Sequence, residues 1–327
     1  MERHGERFSG SAAASGGVLE RHQASARERL RAAGVTRSGP GSVSWRVNRE
    51  IVVVAGWGRA VLLQLAHPLV AAGVDEHSRF RGSLRTSLVR LRSTVGAMLS
   101  LMFGDDDEAL ATTARINAIH DRVSGRLCDA AGVFPPGEAY SAHHAELLRW
   151  VHATLLDSIL LAYERLVEPL APEERDRYCS EAAIMEPLLD IPAGLLPRNT
   201  TELAAYVGES LGSGRIAVTD RSRALARAAL FPPRWRLLWP LFRPVQLMTI
   251  GLLPEAVRRG YGFEWTRNDD HALARWTTAL KWLRRLMPAV IRQWPSSRRR
   301  SDAAHEGHRL PSPAGLLPRA SAAARRS

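Results

Sequence analysis

Apolar residues recur at three- and four-residue spacing along most of this chain, which predicts helices rather than strands. Residues 51–74, "IVVVAGWGRAVLLQLAHPLVAAGV", form the first strong apolar segment. Its length would suffice to span a bilayer. Arg59, Gln64 and His67 interrupt it, however, and a charge at mid-membrane is costly, so a buried core helix is expected. Pro68 cannot donate to the carbonyl of Gln64, which predicts a kink there. Up to that kink Arg59, Leu63 and His67 share one helical face.

A second helix is expected over 84–102, with Leu88, Leu91, Val95, Met98 and Met102 on its apolar side. "FGDDDEA" then breaks the chain, and Asp105, Asp106 and Asp107 suit a cap at the positive end of the next helix. The glycine and glutamate spacing of a Ca²⁺ loop is missing. The third helix runs to about Val123 and carries Ile116, Ile119, His120 and Val123 on one flank. "GVFPPGEAY" reads as a loop. A fourth helix over 142–166 has Leu148, His152, Leu155, Leu156, Ile159, Tyr163 and Leu166 as its stripe, with Glu146, Arg149, Asp157 and Glu164 opposite.

Further helices are expected at 173–189, 200–212, 219–229 and 272–294, the last kinked at Pro288. "WPLFRPVQLMTIGLLP" (239–254) is interrupted by prolines and too short to span a membrane. Neither a run of alternating strands nor an internal repeat is present. The expected fold class is all-α, one globular helical bundle over 41–294.

Composition agrees: 45% of the 327 residues are hydrophobic, enough for a full core. The ends differ from the body. Residues 1–40 are rich in Ala, Ser, Gly and Arg and read as a largely disordered basic segment, with at most a short helix at 19–33. Residues 295–327 read as a disordered Arg/Pro/Ala-rich tail. Without an apolar h-region near the start, a cytoplasmic location is expected rather than secretion.

The net charge of +12 first suggests a polyanionic partner. Its distribution changes that picture. Segments 1–40, 275–294 and 295–327 carry +3, +5 and +5, which leaves 41–274 at −1. Nucleic acid is therefore not an expected partner. The basic helix over 272–294 also holds Trp276, Trp282 and Trp294, a pattern suited to peripheral contact with an anionic membrane. The alternative is that its apolar seam docks on the body while its arginines are solvated.

Chemistry must come from few groups. The chain has no glycine-rich phosphate loop, HExxH, nucleophile elbow or Cys-Xaa-Xaa-Cys. Cys128 and Cys179 are too few for a disulfide scaffold. What remains is His67, His120 and His152 at apolar helical positions. Each alone reads as a hydrogen-bonded core residue. His120 and His152, on consecutive helices, could also face one pocket, and a bundle with an axial histidine can hold haem. Directly packed helices lie about 8–10 Å apart, so a macrocycle would need them splayed. His143 and His144 read as surface residues.

Five blocks together resemble the mpaB-type/rubber oxygenase catalytic domain. They are "LLQLAHPLVAAGVDEHSRFR" (62–81), "TVGAMLSLMFG" (94–104), "RINAIHDRVSG" (115–125), "LLRWVHATLLDSILLAYERLVEPL" (147–170) and "LMTIGLLPEAVRRGYGFEW" (247–265). The resemblance implies an all-α fold with a globin-like haem arrangement and oxygen chemistry on apolar substrates. Characterised members include haem b-containing rubber oxygenases that cleave isoprene double bonds and a fungal oxygenase that cleaves a terpenoid side chain.

By position, His152 in "WVHAT" matches the proximal haem histidine. The rubber oxygenases place an arginine and a Lys-Thr pair on the preceding helix, where this chain has "RINAIHD". Lys281 is its one lysine, so no distal lysine stands there. The resemblance thus implies haem b held by His152, with His120 as second metal ligand or O₂ neighbour and Arg115 or Asn117 as polar contact. His67 and Thr94 are cofactor-side candidates. The expected function is a haem-dependent oxygenase taking O₂ and a small hydrophobic, isoprenoid or lipid-like substrate. The alternative is a non-catalytic helical haem- or lipid-binding protein.

Overall fold

The computed structural model describes residues 5–77, 84–230 and 239–307. At its centre lies α7 (Ala145–Leu166), buried over most of its circumference because its stripe is broad: Leu148, Leu156, Ile159, Tyr163 and Leu166 are all buried. Against it packs α3 (Val54–Leu65). The "GWG" of that helix sets the approach. A Cβ on Gly56 would stand 2.4 Å from the carbonyl oxygen of Ser158, and one on Gly58 would stand 2.3 Å from Oγ1 of Thr249. Side chains there would push α3 away from α7 and from α12 (Trp239–Gly251). Arg59, on the same helix, is buried and fully engaged. Its guanidinium donates to the carbonyl of Leu252 and to Oγ of Ser158, both at 2.7 Å, and pairs with Asp157 at 2.7 Å.

At Pro68 the expected kink is a break. α3 ends at Leu65, α4 (Pro68–His77) begins on the proline, and the two axes differ by 101°. Proline is favoured at a first helical position, and the ring Nδ1 of His67 accepts the Leu69 N–H at 3.3 Å. Among the described residues no single helix is long and apolar enough to cross a membrane. This bent pair is instead core, with Leu62, Leu63, Ala66, Leu69 and Ala72 buried.

The other helices follow the sequence pattern with instructive departures. α5 (Leu84–Phe103) leads to α6 (Asp106–His120), whose first turn is capped by Asp105 accepting the Glu108 N–H at 2.8 Å. Between α6 and α7 the expected loop contains a small antiparallel ribbon, β1 (Ser124–Arg126) with β2 (Ala139–Ser141). The helix expected over 173–189 is two, α8 (Pro172–Ala182) and α9 (Met185–Leu189). Pro187 explains the division, since its ring excludes a helical carbonyl at Ala183. Likewise α14 (Arg267–Leu286) stops before Pro288, which drives Met287 into extended backbone (ψ 132°), and α15 (Ala289–Arg292) follows.

The ends depart most. Residues 1–40, expected to be largely disordered, carry α1 (Gly5–Ala33), packed on α6 and α9. Ala26 is fully buried against Leu110 and Leu188, Arg27 pairs with Asp107 at 2.7 Å, and Arg29 donates to the carbonyl of Pro187. Small residues permit that close approach, and Arg29 is anchored while Arg27 pairs at the surface. The start of the expected disordered tail forms α16 (Pro295–Gly307); residues 308–327 lie outside those described.

Candidate functional site

One face of α7 opposite its contact with α3 borders a cavity that is partly open to solvent. His152 lines it, at the polar position the apolar stripe had singled out. The walls come from four further helices: Trp45 on α2 (Val43–Asn48), Met98 and Met102 on α5, Tyr178 on α8, and Met185 and Leu188 on α9. The lining is mainly apolar.

The polar groups on the wall divide into engaged and free. Arg37 is engaged, although it enters from the segment expected to be disordered. Its guanidinium donates to the carbonyls of Leu101 (2.7 Å), Gly104 and Asp105 (both 2.9 Å) and to the carboxylate of Asp106. It thereby ties off the last turn of α5. Burial lowers its pKa, against the pull of the Asp106 hydrogen bond. Glu181 is engaged too, accepting the N–H groups of Val43 and Ser44 at 3.3 and 2.7 Å.

His152 is free. Its Nε2 is buried and has no hydrogen-bond partner. Burial pushes the ring down to about 4, with the nearby Arg198 charge adding to the effect, so near neutrality it is an uncharged imidazole with a lone pair available. Nε1 of Trp45 is the other buried, unpartnered polar atom on this wall. Neither Trp45 nor Arg37 was marked by the sequence, because both depend on how α2 and the α1–α2 link fold back on α5.

The structure does not bring the other sequence candidates into this cavity. His120 ends α6, 5.6 Å ring to ring from His143, with its Nδ1 buried and unpartnered. Burial, then the His143 charge, lowers it to about 4, with Asp121 opposing. It does not line this cavity with His152, and the chain between α6 and α7 forms the β1–β2 ribbon. α6 packs chiefly on α1 and α5 instead. Arg115 is exposed and donates to Oγ1 of Thr112 at 2.8 Å. Asn117 is buried behind the wall: its Nδ2 donates to the carbonyl of Leu188 at 3.3 Å, and its Oδ1 is unpartnered. Thr94 is exposed.

His67 lines a separate pocket, its ring 5.3 Å from that of Phe134. Burial lowers it to about 4, reinforced by Arg215 and His144. Among the described residues no group of three or more His, Cys, Asp or Glu side chains is arranged to hold a metal ion.

A mostly helical protein with one free imidazole on the wall of a mainly apolar cavity is the class these observations define. Residues 45–284 match the family described as "ER-bound oxygenase mpaB/B'/Rubber oxygenase, catalytic domain", and the chain belongs to that family. It is therefore an oxygenase-type catalytic domain. Two similar curated proteins are "Uncharacterized protein Rv2237" of Mycobacterium tuberculosis and "Uncharacterized protein Mb2261" of Mycobacterium bovis. Each is 24% identical over 235 residues, covering 70% of this chain and 87% of the relative. No solved structure matches.

Proposed function

We propose that this chain is a haem-dependent oxygenase acting on a hydrophobic substrate of isoprenoid or lipid type, with haem b held through His152. The observation that carries this reading is the buried, unpartnered Nε2 of His152 on the wall of a mainly apolar cavity. A buried polar atom without a partner costs about 1–3 kcal/mol, which a bound group could recover. Haem fits the residues present: an uncharged imidazole nitrogen that could ligate its iron, on a mainly apolar wall. When bound, its iron supplies the O₂ chemistry that none of these side chains can perform.

The chain's own residues would do the rest. His152, kept neutral by burial, presents a lone pair without first having to lose a proton. Met98, Met102, Leu188 and their neighbours bind an apolar substrate and exclude water. Arg37 and Glu181, fully engaged elsewhere, keep the wall in place without competing for the ligand. The unpartnered Nε1–H of Trp45 offers a donor to O₂ or to a polar end of the substrate. This role replaces the one expected of His120, Arg115 and Asn117, which lie off the wall.

The test is the absorption spectrum of protein purified from haem-supplied cells, read beside His152→Ala. A Soret band present in the parent and lost in the variant, with helical circular dichroism unchanged, is the expected result. Absence of a Soret band in the parent would reject the haem reading. O₂ consumption on addition of an isoprenoid substrate then separates a catalyst from a haem- or lipid-binding protein.

A further inference from the structure

α14 meets the rest of the molecule along one side only. Leu273 and Leu280 pack with Leu166 and Met248, and Arg284 donates from Nε to the buried carboxylate of Glu50 at 2.8 Å. At 100° per residue, Trp276, Trp282, Leu283 and Leu286 fall on the flank and back of that seam. They are 41, 60, 48 and 79% exposed, and α15 continues the surface with Val290 and Ile291 at 61 and 56%. These six are the majority of the eleven large apolar side chains exposed among the described residues. They form one patch rather than a scatter, and such a patch marks an interaction surface.

Its charge selects the partner. Residues 275–294 contain Arg275, Lys281, Arg284, Arg285 and Arg292 and no acid. Arg284 is taken up by Glu50, but among the described residues Arg275, Lys281 and Arg285 form no ion pair; the Arg285 guanidinium lies 5.5 Å over the Trp282 ring. Nucleic acid offers nothing to the apolar stripe. A second copy would set these cations against each other without an acid between them. A bilayer bearing anionic lipids satisfies both halves: tryptophan and leucine enter the headgroup boundary while arginine and lysine remain among the phosphates.

We infer that α14 and α15 form a membrane-docking surface that lies flat on an anionic phospholipid bilayer. This is independent of the cofactor assigned to the cavity. The docked seam and the outer stripe are different sides of one helix, so the same segment can be anchored to the body and to the lipid together.

The experiment is co-sedimentation of the full chain with phosphatidylcholine vesicles, with and without phosphatidylglycerol, alongside tryptophan fluorescence. The parent is expected to bind the anionic vesicles with a blue shift and to be released by salt. The double variant Trp282→Glu/Leu286→Glu should lose at least tenfold in partitioning while its thermal unfolding is unchanged, because both side chains are exposed. Arg275→Gln/Arg285→Gln should weaken anionic binding by about fivefold per charge and flatten the salt dependence. Parent protein that ignores anionic vesicles would overturn the inference. So would full binding by Trp282→Glu/Leu286→Glu, or a variant whose only change is conversion of a dimer to a monomer.

Discussion

Nε of Arg284 donates to the carboxylate of Glu50 at 2.8 Å, joining residues 234 positions apart. Both side chains are largely buried, at 16 and 3% exposure. Beside them a backbone bridge pairs Glu50 with Gln293, and the Trp294 N–H reaches the carbonyl of Arg49 at 3.0 Å. The start of the core domain and its final helices are thus locked through one charged pair.

Removing the cation should leave Glu50 buried without compensation. Arg284→Leu is expected to cost about 3–5 kcal/mol in urea unfolding, because an unpaired buried charge is worse than none. Glu50→Gln/Arg284→Leu, which removes both charges, should recover much of that loss. A single variant as stable as the parent would contradict the pairing.

His152→Leu separates ligand chemistry from structure. Leucine suits the apolar stripe and removes the orphaned Nε2, so the haem-free protein should unfold at equal or higher temperature, by about 1 kcal/mol. The Soret band should nevertheless disappear. Retention of the band would remove His152 from the iron.

Acid should weaken the fold in a defined window. His67 and His152 sit at about 4 in the folded protein against an ordinary 6.5, chiefly through burial. The unfolded chain therefore binds protons that the folded one refuses. The stability this contributes is fully present above 6.5 and is lost as pH falls towards 4. Urea midpoints at pH 7, 5.5 and 4.5 should fall in that order, by about 1–3 kcal/mol for each histidine over the whole range. His152→Leu should show a shallower decline.

Gly56→Ala tests the close approach of α3 to α7. The added carbon would lie 2.4 Å from the Ser158 carbonyl oxygen, which belongs to a helix backbone and cannot rotate aside. A loss of about 2–3 kcal/mol in chemical denaturation is expected. Gly96→Ala is the control, since nothing lies within 4 Å of a Cβ there, and it should be neutral or slightly stabilising.

The fold was legible where burial leaves a periodic trace. The stripe of α7, the Asp105 cap and the interruptions at Pro68 and Pro288 are local chemistry. The size of the break at Pro68 was not, because the angle depends on what each half packs against. Of α1 only a short helix at 19–33 was anticipated, because its contacts use alanine and arginine, whose roles depend on partners far along the chain. His152 stood out as a polar residue on an apolar stripe. His120 does not line the same cavity, since spacing along two helices does not say which of their faces meet. The cavity itself was invisible in sequence, since its walls come from segments that meet only after folding.

Arg37 gives the last consequence. It precedes residue 45, where the family match begins, yet it lines the cavity and binds the carbonyls that end α5. On the far side of the match, Arg300 also reaches the carbonyl of Gly104. The segment recognisable by ancestry is therefore smaller than the segment that closes the chamber. A gene fragment trimmed to 45–284 would encode the histidine and most of the helices while leaving the chamber without its rim.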